Sequence, residues 1–127
     1  MAKPLKLLII ERAKELIKDE RSWCRGSLAI DVSGDSTDPT SKDVVRRCAL
    51  GALVAAAYQL TNNKTLCYDL AINALRPLCG SNTVVLTNDH RGHAAVVALF
   101  DEAMAAIMRR TVDRDLAMAE ATSNATR

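Results

Sequence analysis

Two short stretches hold most of the residue types in this sequence that are able to do chemistry. One is Trp23-Cys24-Arg25-Gly26, with Asp31 behind it, and the other is Asn88-Asp89-His90, with His93 three residues further on. A cysteine becomes a nucleophile when a nearby imidazole or a helix N-terminus stabilises its thiolate. Cys24 with His90 or His93 is therefore one candidate pair, and Asp89 with His90 is another. The same residues also have a structural reading, which is preferred for both stretches. In that reading Trp23 closes the core at a helix end, Cys24 packs as a small hydrophobe and Gly26 lets the chain turn. Asn88 and Asp89 then bond the local backbone and cap the following helix, with His90 and Asn88 as the solvent-facing neighbours of Asp89.

Metal chemistry finds little support. Cys24, Cys48, His90 and His93 offer two sulfurs and two nitrogens, but the tight Cys-x-x-Cys pair usual in structural zinc sites is missing. Asp31, Ser33, Asp35 and Thr37 resemble a calcium loop at alternate positions, yet Ser36 stands where the turn glycine belongs and Lys42 where the bidentate glutamate belongs. No GxGxxG, P-loop, HExxH or GxSxG occurs. The expectation is no metal, no cofactor and no assigned catalytic residue.

With 17 basic and 15 acidic side chains the chain lacks the strong positive charge of a dedicated nucleic-acid binder. Arg46, Arg47, Arg109 and Arg110 form two short pairs that read as solvated helix faces, so nucleic-acid binding is disfavoured. Trp23, Tyr58, Tyr68 and Phe100 are all the aromatics, too few for base-stacking platforms. The apolar run Leu7 to Ile10 is too short for a signal segment or a membrane span, which predicts a cytoplasmic protein with its four cysteines reduced. The Asn-x-Thr sequences at Asn63 and Asn124 are then not expected to carry glycans.

The elements that must position these residues read as helices. Leu5, Leu8, Ile9, Ala13, Leu16 and Ile17 recur at helical spacing behind Pro4. Asp31 to Ser41, DVSGDSTDPTS, is a polar loop. Asp38 or Thr40 then supplies an N-cap for a second helix running through VVRRCALGALVAAAYQL. Gly51 in its middle costs about 1 kcal/mol relative to Ala, which implies close backbone approach by another element. Cys67, Ala71, Ala74, Leu75 and Leu78 make a third helix closed by Pro77 and Gly80. Residues 83 to 87, TVVLT, suggest an extended linker, because one strand without a partner makes no sheet. Val96, Val97, Phe100, Ala103, Met104, Ile107 and Met108 define a fourth helix, continuing toward Val112 and Leu116. The expected fold is an all-α single domain of about four principal helices over residues 1–119, with the Ala/Gly-rich helix at its centre and a frayed tail over 120–127.

WCRG, the Asp-Pro pair, CALGAL, and NDH followed by VVALFDEA resemble, in order and spacing, an uncharacterised family of short bacterial and phage proteins, a domain of unknown function. The resemblance covers about residues 8 to 108, with Thr87 where the family often has Trp before Asn-Asp. It implies domain boundaries and no activity.

These observations lead to a non-enzymatic binding or accessory module for a protein partner or small ligand, in a phage or host-interaction setting. Its candidate binding residues are Trp23, Cys24, Gly26, Asp31, Asn88, Asp89 and His90. A small enzyme using Cys24 or Asp89 with His90 is the alternative, and a weak nucleic-acid binder comes third. Self-association is left open. Convergence of the candidate groups in one pocket favours the enzyme, and their dispersal the binder.

Overall fold

The computed structural model describes residues 3–76 and 78–125. Helix α1 spans Leu5–Ile17 behind Pro4, whose extended backbone (φ −59°, ψ 149°) starts the first turn. Its buried face is Leu7, Ile9, Ile10, Ala13 and Ile17. The expected stripe is thus shifted: Leu5 is 41% exposed and Leu8 half-buried. An apolar run of this kind fits several helical phases, and the neighbouring helices select one.

The chain next forms a short 3-10 turn, Glu20–Ser22, and then departs from the all-α expectation. Strands β1 (Ala29–Asp31) and β2 (Val44–Arg47) pair antiparallel, with Ala29 opposite Arg47 and an irregularity between Ile30 and Asp31. The protein is mostly helical with a small two-stranded sheet. Val44 and Val45, assigned to a helix by period alone, are β-branched and stiff at χ1, which suits a strand once β1 offers its backbone. Asp38 caps no helix. Its carboxylate accepts from the Thr40 N–H and pairs with Lys64 on the far side of the next helix.

Helix α2 (Ala49–Thr61) instead begins at Cys48, whose sulfur accepts from the Gly51 N–H. It is buried continuously from Gly51 to Ala57 and ends at Asn62 in the left-handed conformation (φ 53°). Its small side chains let other elements come close. A Cβ placed on Gly51 would lie 1.9 Å from the Leu28 carbonyl oxygen, so no other residue fits there without moving the main chain.

Helix α3 (Cys67–Ala74) is short and stops before Leu78, which is exposed. Pro77, expected to close it, lies outside the described residues. Residues 83 to 87 are not extended. Helix α4 (Ser81–Leu86) leads into a π-type turn, Thr87–Arg91, and only Val84 of the TVVL stretch is buried. Without a partner strand, a helix lets this segment satisfy its backbone polar groups internally.

Helix α5 (His93–Ala125) follows Gly92, which has φ 95°. Val96, Phe100, Ala103 and Ile107 of its first half complete the core with α1, α2 and α3. Met108, expected in the core, is 55% exposed, because it stands about 100° round the helix from buried Ile107, off the side that faces α1 and α3. It continues through the stretch read from sequence as a tail, as far as Ala125. No helix among the described residues is long and apolar enough to cross a membrane.

Candidate functional site

The π-type turn between α4 and α5 carries one extra residue, closed by the Gly92 N–H bonding the Thr87 carbonyl. This turns Asn88 inward, where it is 1% exposed. Its side-chain oxygen accepts from the Trp23 indole N–H at 2.6 Å and from the Ala49 backbone N–H at 2.8 Å. Its amide nitrogen donates to the Cys24 carbonyl and to the Asp89 carboxylate, each at 3.1 Å. Two acceptor and two donor positions are all that an asparagine side chain has, and here all four are filled. Asn88 therefore caps α2 from outside its own segment and ties it to the Trp23-Cys24 turn.

Asp89 extends this network outward. Its carboxylate also accepts from the Gly26 N–H at 3.2 Å, at a turn where Gly26 has φ 76°. The Asn88 amide first, and then the Gly26 N–H, hold the Asp89 carboxyl below the usual carboxylate range. Asp89 is thus a bridge between loops. It does not cap α5, the expected role, and Asn88 is buried where a solvent-facing residue was expected.

Trp23 is the hub of the apolar side. Arg25 lies over its ring with the guanidinium carbon 5.2 Å from the centroid, and the His93 ring packs at 5.6 Å, tilted by 58°. His93 Nε2 donates to the Ile17 carbonyl, which requires a proton on Nε2 and satisfies one of the last carbonyls of α1. Cys24 and Cys48 are both buried, and a parallel bridge between Trp23 and Arg47 precedes them. Burial first, and then Cys48, push the Cys24 thiol up to about 11, and burial also raises Cys48. The Cys24 S–H donates to the Ser27 carbonyl. No hydrogen bond among the described residues joins either histidine to Cys24 or Cys48, and no group of three or more His, Cys, Asp or Glu is arranged to hold a metal ion.

Five of the seven candidates, Trp23, Cys24, Gly26, Asn88 and Asp89, therefore belong to one connected cluster. Asp31 does not join it, since its carboxylate accepts from the Ser33 and Asp35 N–H groups of its own loop. His90 sits exposed on the turn. Asp31, Trp23 and Cys24 do share the wall of an open groove of about 740 Å³ with Arg25, Val45 and Arg46. A smaller cleft of about 180 Å³ lies between Gly26, Leu28, Cys48, Leu50, Val85 and Asp89.

Sequence reasoning did not foresee Arg25 over the Trp23 ring, the Ala49 N–H held by Asn88 or the Cys48 cap of α2. Cys48 alone had a local signal, as a polarizable residue directly before an alanine-rich helix. Arg46 and Arg47 stand on β2 where a helix was expected, and Arg47 turns inward to the Pro39 carbonyl, so they form no continuous basic helix face.

No curated protein and no solved structure gives a significant match to this chain. A family model does match, over residues 1–106, a span that takes in the whole Asn88 cluster and leaves out the distal part of α5. The chain belongs to that family, a family of unknown function (DUF6197).

Proposed function

We propose that this protein is a non-enzymatic binding module that takes a carboxylate-bearing ligand in the groove beside Trp23. The observation that carries this reading is the saturation of Asn88. Asn88 and Asp89 are consumed in joining chain segments, His90 stands exposed beside them, and the surface around Trp23 remains open. The raised Cys24 thiol supports the same reading, since almost none of it is the nucleophilic thiolate at neutral pH.

Arg25 and Arg46 give the groove its preference. Neither forms an ion pair among the described residues, whereas the Asp31 carboxylate is already occupied by its own loop. An incoming carboxylate meets the Arg46 guanidinium and that of Arg25, which lies over the Trp23 ring, with Glu20 on the same wall setting the direction of approach, a setting for charge-assisted hydrogen bonds. A small acid and an acidic segment of a protein partner share this chemistry. An accessory, host-interaction role in a bacterial or phage cell, and a cytoplasmic setting that keeps the thiols reduced, belong to the same proposal and draw on the motif resemblance and the four free cysteines.

Trp23 is the only tryptophan and reports directly on the groove. Its fluorescence should change saturably on titration with acidic peptides, small dicarboxylates or both, and the two series separate a peptide partner from a small ligand. The change should be lost in Arg46→Glu. A flat response to both series overturns the proposal. So does a thiol-dependent turnover that disappears in a folded Cys24→Ser variant.

A further inference from the structure

Beyond Ile107, one face of helix α5 still borders α1 and α3, and on another face three large apolar residues spaced four apart are left in solvent, with Met118 exposed off that line. Met108 is 55% exposed, Val112 53% and Leu116 58%. At about 100° per residue they share one face with Ala105 and Ala119, both exposed. This face points away from the core-facing side, where Arg110 and Arg114 line a groove against the start of α1 and α3. An exposed apolar stripe along a helix is what a second helix covers.

The pattern on that stripe is symmetric about Val112. Four residues before it stands Met108 and four after it Leu116; seven before stands Ala105 and seven after it Ala119. The charges along the stripe run the opposite way, with Arg109 three residues before Val112 and Asp113 and Asp115 just after it. Arg109 and Asp113 lie on the same flank of the stripe, about 40° apart around the helix. Neither forms an ion pair among the described residues. On the other flank stands Asp115, whose Oδ2 is shielded from solvent without a hydrogen-bond partner among the described residues.

From this arrangement we infer that the partner is a second copy of the chain, packed antiparallel along distal α5 with the two-fold axis at Val112. That axis sets Met108 of each copy against Leu116 of the other, and Ala105 against Ala119. It brings Arg109 within about two residues' rise of the other copy's Asp113, and Asp115 toward the other copy's Thr111, on the two flanks. A two-fold interface repeats each contact, so one complementary pair becomes two. Apart from Ala105, the contact uses residues outside the matched family region, and it leaves the Trp23 groove open, so it stands independently of the ligand proposed there.

Sedimentation equilibrium of the 127-residue chain across a concentration series tests the inference. The chain should form a reversible dimer, and Val112→Asp should weaken association at least tenfold while leaving the far-ultraviolet circular dichroism of the folded domain intact. Arg109→Asp should also weaken it, and Arg109→Asp combined with Asp113→Arg should restore it. Under mild oxidation Val112→Cys should cross-link to itself. Met108→Cys should do so only when mixed with Leu116→Cys. A monomer at every concentration overturns the inference, as does a dimer indifferent to Val112→Asp. Binding of the monomer to anionic vesicles through the same stripe, lost in Val112→Asp, overturns it in favour of a membrane surface.

Discussion

Asn88 and Trp23 lie 65 residues apart in sequence and are joined by a 2.6 Å hydrogen bond from the indole N–H to the asparagine side-chain oxygen. The same oxygen receives the Ala49 N–H at the start of α2. One buried amide therefore holds three chain segments in register. Removing it exposes the asymmetry of buried hydrogen bonds, because the partners left behind find no water.

Asn88→Ala strands the Trp23 N–H, the Ala49 N–H and the Cys24 carbonyl. Each such group costs about 1 to 3 kcal/mol, so a loss of at least about 3 kcal/mol is expected in a urea melt. A loss under about 1 kcal/mol would show that the network contributes no stability.

Asn88→Asp keeps the acceptor and removes the donor, setting a carboxylate against Asp89 and the Cys24 carbonyl. The carboxyl introduced at this buried position then has a folded pKa above its unfolded value of about 3.9. Stability is fully present below that pH and falls as pH rises through the folded value. The variant should approach wild type below about pH 4 and separate from it toward neutrality. A difference independent of pH refutes this account.

Asp89 behaves in the opposite sense, because its folded carboxyl is lowered by the Asn88 amide and the Gly26 N–H. Its contribution is present above the unfolded pKa and lost as pH falls through the lower, folded one. Asp89→Ala should cost about 1 to 3 kcal/mol at pH 7, for two hydrogen bonds, and progressively less below about pH 4. Asp89→Asn, which can still accept from Gly26, should cost less than Asp89→Ala. Equal melts for the two variants would mean that the Gly26 contact is unimportant.

Gly51→Leu should prove more damaging than Leu53→Ala, although a buried leucine truncation itself costs about 2 to 5 kcal/mol. The cavity at Leu53 can relax in part. The overlap at Gly51 is with main chain, 1.9 Å from the Leu28 carbonyl oxygen, and relieving it displaces the turn that leads into β1. Paired urea melts decide the order, and a harmless Gly51→Leu would contradict the geometry.

In the folded protein a thiol reagent at pH 8 should modify half-buried Cys79 before Cys24, Cys48 or Cys67, all of which are buried. Cys24, pushed up to about 11, has only about one molecule in a thousand as thiolate at that pH. Mass spectrometry after timed quenching reads the order, and early labelling of Cys24 would mark it as reactive after all.

Local pattern carried the helical character of this chain. The period of α1, the burial of α2, the close approach at Gly51 and the core face of α5 at Val96, Phe100 and Ile107 each follow from spacing and side-chain size, properties a segment has before it meets any other. The residues later found in the cluster were also visible, because tryptophan, cysteine, asparagine and aspartate near turns are chemically conspicuous. What no segment contains is its partner. Val44 and Val45 became a strand because β1 lay beside them, while Val84 and Val85, of the same residue type, became helix because no strand did. Asn88 looked like the cap of the helix after it, and the π-type turn aimed it at the N-terminus of α2 instead. Whether Met108 is core or surface depended on which face of α5 turned toward α1 and α3. Hydrogen-bond partners and burial are relations between distant segments, so they are decided only when the chain packs, at which point the free energy of satisfying every buried polar group overrides each segment's local preference.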